Sequence, residues 1–430
     1  MHVAGKPVGF WSAVSMGIGA MVGGGIFALL GEAGAISGPA VWLSFILGGL
    51  IALASGYSLA RLGARYPSAG GIVEYLGQAF GVGPLTGSLS VLLYAAAIVS
   101  LSVIAKAFGN YAVALLPVSG GYWAEGFTVA IVMTFLLVNY RGAADVAVWE
   151  RVTVAIKFLV LSGLTIAGLA TMDPALLSPR HYPAPASIVY SLAITFFAYE
   201  GFRVITNAAE DMPDPARILP RAMLGSILVV MVLYVAVACA AFGSLPAEQI
   251  IAAREFALAE VARPVFGDLG FHVVAGVALV SIASSINAAL YASTNVAWQL
   301  ARYGELPAAF GRPFGNSREG LLFSSIGIVV LALTLDMTEI ATLGSVSVLF
   351  VHGITHAGHL RLAHETGASR TLIVLAILLI GVAIALVMTW LSERGGWLIW
   401  GLPLMLGLAF ATELILQRLT GREVRTRLER

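Results

Sequence analysis

Twelve stretches of this chain run for sixteen or more residues with few charges. They fall near 10–31, 39–60, 84–116, 122–139, 147–170, 187–209, 221–243, 269–300, 320–335, 340–360, 371–391 and 396–416. About 20 apolar residues cross bilayer hydrocarbon as a helix. Only helices and closed barrels satisfy every backbone polar group there. The expected fold is therefore an all-α polytopic membrane protein of about twelve transmembrane helices. Composition agrees: 59% of residues are apolar, 11% are charged and mean hydropathy is +0.91, which excludes an ordinary soluble domain. The net charge of +1 implies no nucleic-acid partner. A single cysteine, Cys239, excludes an internal disulfide and a cysteine metal cluster. No small-residue cleavage site follows the first apolar run, which is read as retained.

The 24 Lys and Arg residues orient the chain. With the N-terminus inside, external segments hold only Arg180, Arg254, Arg263 and Arg394. Lys106 and Lys157 lie within spans, and the remaining 18 fall inside. Both termini are thus expected on the cytoplasmic side of the plasma or inner membrane. Residues 244–268 are expected to form an external cap of one or two short helices. The basic tail, 418–430, either lies against anionic headgroups or is disordered.

Within the first span, residues 17–31 read GIGAMVGGGIFALLG. Gly23, Gly24 and Gly25 each cost a helix about 1 kcal/mol relative to alanine. A broken helix at this point is the expectation, and such breaks mark transporter binding sites. Amides beyond the break would favour a carboxylate, and carbonyls near Ala20 and Met21 an ammonium or metal cation. Close helix packing is the alternative, with Gly19 and Gly23 at a spacing of four. Side chains at Gly24 or Gly25 are expected to block the site without disturbing the fold.

A second discontinuity falls in span six, SIVYSLAITFFAYEGFRVITNAAEDM, where Tyr199, Glu200, Gly201 and Arg203 crowd together. It lies five spans after the first. Five helices repeated once insert with opposite orientation, the inverted-repeat plan. The expected units are 1–170, 171–365, two added helices over 366–417 and the tail 418–430. A carboxylate at mid-membrane is a functional candidate. Glu200 either pairs with Arg203 or selects a cationic substrate group.

Four motifs resemble the amino acid–polyamine–organocation superfamily of secondary transporters. They are GAMVGGGIF in span one; RYPSAGGIVEYLGQAFG over 65–81; FFAYEGF running into NAAEDMPDPARILPRA over 196–222; and ARYGELP over 301–307. The chain departs from the family pattern in late span eight, with Thr294 and Asn295 where an arginine is common. The resemblance implies a leucine-transporter-like 5+5 inverted repeat and alternating access. It implies a small-molecule amino acid or amine substrate held between the breaks, by Ala20, Met21, Gly23, Gly24, Gly25 and Ile26 in span one. In span six, Tyr199 and Glu200 would join one of Phe196, Phe197 or Phe202 closing over the substrate. It further implies a proton as coupling ion and no other cofactor. Lys157 would occupy the position where sodium-coupled relatives bind sodium, facing Ser284 and Ser285. Its ammonium would bridge carbonyls near Met21 and Val22 to span eight. Snorkelling to the cytoplasmic interface is the alternative for Lys157, whereas Lys106 is expected simply to snorkel to the external interface.

His352, His356 and His359 share one face of span ten at i, i+4, i+7. Two such histidines can bind zinc, but no carboxylate of suitable spacing completes a site. Pairing with backbone or water is the expected case. The chain has no phosphate loop and no nucleophile elbow, so ATP drive and enzyme chemistry are not expected. Polyamine, organic amine or potassium transport remains an open alternative, as does a channel or nutrient sensor.

Overall fold

A computed structural model describes residues 7–81, 83–116, 121–141 and 146–420. Lys6 and tail residues 421–430, on which part of the orientation argument rests, lie outside the described residues. The chain is helical almost throughout. Helices α1 (Phe10–Ser37) and α2 (Val41–Arg65) are joined by a single turn, and the short α3 (Ile72–Phe80) follows. Then come α4 (Pro84–Ala114), α5 (Trp123–Arg141), α6 (Val146–Thr171), and the paired α7 (Pro185–Tyr190) and α8 (Leu192–Tyr199). A 3-10 segment, Glu200–Asp211, continues from α8 and leads to α9 (Pro215–Ser244) and α10 (Ala247–Ala252). The remaining helices are α11 (Ala257–Tyr303), α12 (Glu319–Thr334), α13 (Met337–Thr366), α14 (Arg370–Arg394) and α15 (Gly401–Thr420). The residual strands, Pro313–Phe314 and Ser317–Arg318, pair as a two-residue hairpin ladder.

Among the described residues, ten stretches are long and apolar enough to cross a membrane. The first, Phe10–Arg65, holds both α1 and α2, and α12 adds a shorter apolar helix of 16 residues. The twelve expected spans are thus all helical. The segment expected as an external cap folds as α10 plus the start of α11, set off from span eight by Gly267 at φ 65°.

Helix α1 lies at the centre, against α4, α6, α8, α9, α11 and the 3-10 segment. Residues 21–34 are buried on every side, as an all-round apolar helix should be. The expected break at Gly23–Gly25 is absent: α1 is one uninterrupted helix over 28 residues. The reason is packing. The three glycines point to three different neighbours. An added Cβ would stand 1.7 Å from Ser285 Oγ of α11 at Gly23, and 2.6 Å from Ile104 of α4 at Gly24. At Gly25 it would stand 2.3 Å from the Ala198 carbonyl oxygen of α8. The absent side chains let three helices approach one, and this close contact offsets the poor helix propensity.

The second discontinuity is present. The α-helix gives way at Glu200 to twelve residues of 3-10 helix, far longer than the few residues usual for that form. In a 3-10 helix, residues i and i+3 eclipse, which sets Glu200 directly beside Arg203. Gly201 lets the segment touch α1 backbone to backbone: its Cβ would fall 2.5 Å from Ala20 C and Met21 N.

Lys106 does not snorkel. Its ammonium donates to the carbonyls of Ala332 and Leu335, at 3.0 and 2.9 Å. It thereby satisfies orphan acceptors at the C-terminal end of α12.

Candidate functional site

A cavity of about 140 Å³ lies where α1 meets the junction of α8 and the 3-10 segment. Of the fourteen candidate site residues, Ala20, Met21, Gly24, Gly25, Phe197, Glu200, Lys157, Ser284 and Ser285 line it, joined by Gly19, Gly201 and Arg203. The other five candidates do not. Gly23 faces Ser285 as packing, and Ile26 is fully buried. The Tyr199 hydroxyl donates to Phe45 O at 2.9 Å, behind the cavity. Phe196 and Phe202 set their rings edge-on against His352, with centroids 6.2 and 5.9 Å apart. Phe197 is therefore the aromatic ring of the three that faces the enclosed space. It packs beside Gly344 of α13, where a Cβ would come within 2.7 Å of the ring.

The cavity's charge is unusual for mid-membrane. Glu200 and Arg203 form an ion pair with side chains 6% and 19% exposed. Burial of this kind costs each ion several kcal/mol, repaid only by good mutual geometry. Lys157, 2% exposed, lines the same cavity. Its Nζ donates to Gly19 O at 2.6 Å. The acceptor differs from the expected Met21 and Val22; the Met21 carbonyl instead accepts from the Tyr234 hydroxyl at 2.7 Å. Lys157 reaches inward and does not snorkel. Its ammonium would lie 3.3 Å from a Cβ on Gly23, and Ser285 crowds the same glycine, so α1, α6 and α11 converge there.

A second, smaller space of about 90 Å³ adjoins the first. Ser100, Arg203, Val204, Ala289 and Ala292 line both. The second is also lined by Gly70, Ile72 and Val73, from the segment between α2 and α4. There Gly71, at φ 50°, abuts the Asn207 side chain so closely that a Cβ would sit 2.2 Å from its Oδ1. Arg203 thus stands in the wall between the two spaces.

Sequence reasoning placed Gly201 at the discontinuity but not in the site, and it missed two contributors. Ile104 and Gly344 carried no signal, because their relevance depends on which helices meet. Among the described residues, no cluster of metal-ligating side chains is present, and the three histidines of α13 take hydroxyl partners.

A bundle of membrane-length helices around a charged internal cavity defines a polytopic membrane protein of the transporter class. The family profile described as Amino acid permease matches residues 8–410. The chain belongs to this family, as the superfamily resemblance implied. It is 35% identical over 386 residues to the inner membrane transport protein YbaT of Escherichia coli, covering 89% of this chain and 88% of that one. It is 27% identical over 314 residues to the serine/threonine exchanger SteT of Bacillus subtilis, covering 71% and 70%. To the methylthioribose transporter of Bacillus subtilis it is 27% identical over 372 residues, covering 78% of each.

Proposed function

We propose that this transporter carries a small zwitterionic amino acid by alternating access, with a proton as the coupling ion. One observation carries the reading. The central cavity presents one carboxylate, Glu200, and two cations, Arg203 and Lys157, around a space suited to a small solute. A zwitterion offers each a partner: its ammonium to Glu200, its carboxylate to Arg203 or Lys157. Because α1 is unbroken, its amides at Gly23–Gly25 remain engaged within the helix in this conformation. Recognition of the carboxylate then falls to side chains. The name serine/threonine exchanger borne by one relative is in keeping with such a cargo. A neutral solute is the second reading, favoured by the relative named as a methylthioribose transporter.

A thermal-shift comparison of serine, its decarboxylated amine and its deaminated acid tests the charge requirement. A ligand at 100 times its Kd stabilises the folded state by about 2.7 kcal/mol. Only the zwitterion should raise the melting temperature. Equal stabilisation by the amine alone would replace the amino acid with an organic cation, and stabilisation by methylthioribose alone would favour the neutral cargo.

Both termini are placed on the cytoplasmic side in this reading, with Lys157 serving the coupling proton and the two five-helix units inverted. In a Cys239→Ala background, an impermeant thiol reagent should label a cysteine at Ser178 from outside and spare one at Ser317. Labelling of Ser317 in intact cells would reverse the orientation.

A further inference from the structure

The three histidines of α13 are buried, and none belongs to the cavity wall. They connect to it through α2. The Ser55 hydroxyl lies 3.0 Å from His352 Nδ1 and 2.9 Å from His356 Nε2, bridging two rings one turn apart. The far nitrogen of His352, Nε2, faces Glu200 Oε2 across 4.0 Å. Both of those atoms are buried without a hydrogen-bond partner, as is His356 Nδ1 at the other end. An unmade buried hydrogen bond costs about 1–3 kcal/mol, so two such atoms facing each other call for a reason. A closure of about 1 Å would join Glu200 to His352.

We propose that Glu200, His352, Ser55 and His356 form a proton relay that loads and unloads Glu200 from the cytoplasmic end of α13. The single hydroxyl proton of Ser55 fixes the bookkeeping. With Ser55 donating to His352 Nδ1, His352 carries its own proton on Nε2, aimed at Glu200. His356 then carries its proton on Nε2, donated to Ser55 Oγ, and its Nδ1 is a bare acceptor. A proton arriving at His356 Nδ1 releases the Nε2 proton to Ser55. Ser55 passes its own to His352 Nδ1, and His352 gives its Nε2 proton to Glu200 Oε2. One proton enters, one arrives, and no ring is left charged. The same transfers run backwards restore the starting tautomers.

The supply side is polar too. His359 lies one turn further along α13, its Nδ1 2.7 Å from Ser58 Oγ and its Nε2 2.8 Å from Thr366 Oγ1. Among the described residues, the charged groups facing the three rings are Glu200 and Arg203 at the inner end and Arg61 of α2 at the outer end. The rings of Phe196 and Phe202 close the sides of His352. The arriving proton has a defined consequence. Neutralising Glu200 dissolves its ion pair with Arg203, the residue that stands between the central cavity and the space beside Gly70. The relay thus couples a cytoplasmic proton to the wall between the two spaces.

The inference rests on the transporter reading for its direction alone, and its test uses no substrate. The purified full chain in lipid is stepped from alkaline to acid pH and followed by time-resolved infrared difference spectroscopy. A protonated-carboxyl band should rise and be missing in Glu200→Gln. Ser55→Ala and His352→Gln should slow its rise by about a hundredfold, the low end of what a positioned proton-transfer group contributes. Ser55→Thr, which keeps the hydroxyl, should restore the rate. A purely structural role would lower the melting temperature of Ser55→Ala but leave the rate as in the wild-type chain. Wild-type rates in both variants, or no carboxyl band in the wild-type chain at any pH, would overturn the relay. Loss of the amino acid reading in the thermal-shift comparison leaves this result untouched.

Discussion

Lys157→Ala is expected to abolish accumulation driven by a pH gradient in proteoliposomes, while substrate exchange in part survives. The lysine ties α6 to α1 through Gly19 O at 2.6 Å and sits where Ser285 of α11 also meets α1. The charge-assisted hydrogen bond ties α6 to α1 beside Gly23, against which α11 also packs. On the coupling role proposed for Lys157, losing its proton would remove both the charge and one donor and so loosen α1 from α6, leaving the junction tight with the proton bound and relaxed without it. An alanine leaves the junction relaxed at every pH, so a proton gradient has nothing to act on. Exchange needs only the substrate to cross, and no net proton movement. Sodium should have no effect on either variant. Lys157→Met, which fills the volume without the charge, separates coupling from packing. Proton-driven uptake at the wild-type level in the methionine variant would remove Lys157 from the coupling mechanism.

Gly25→Val is expected to prevent recovery of a folded, monodisperse protein. The Cβ alone would stand 2.3 Å from the Ala198 carbonyl oxygen and 2.5 Å from the Tyr234 hydroxyl. Neither can step aside cheaply. The first is backbone, and the second is anchored on Met21 O. Overpacking a tight interior costs about 1–3 kcal/mol where side chains give way, and more where backbone must move. Site blockage without harm to the fold, the expectation from sequence, does not fit this geometry. Gly201→Ala should behave in the same way, since it meets the Ala20–Met21 backbone at 2.5 Å. Gly24→Ala should be milder, because it meets the rotatable end of Ile104. Thermal unfolding of the purified variants ranks them. A wild-type melting temperature for Gly25→Val would mean that α1 and α8 separate readily there.

The discontinuity at span six was legible because its cause is local. Glu200, Gly201 and Arg203 lie within four residues, and eclipsed i, i+3 pairing follows from the 3-10 form itself. The discontinuity at span one was misread for the opposite reason. Three adjacent glycines weaken any helix by a known amount, and the sequence does not say what replaces the lost propensity. Here Ser285, Ile104 and Ala198 do, and they come from three helices distant in sequence.

The same division holds for the polar residues inside the membrane. Lys106 and Lys157 look alike in sequence, single amines in apolar runs. One closes the end of α12 and the other reaches the α1 core, because different neighbours offer carbonyls within reach. The histidine spacing on α13 put three rings on one face, but Ser55 and Ser58 became their partners only when α2 packed alongside. What the sequence by itself determined is the bilayer as solvent, the helical class and the order of the spans, because these follow from the cost of bare backbone in hydrocarbon. The tertiary structure alone decided which charges meet, which glycines are contacts and which aromatic ring faces the cavity. Those outcomes depend on distances between segments far apart in the chain, and no local pattern encodes them.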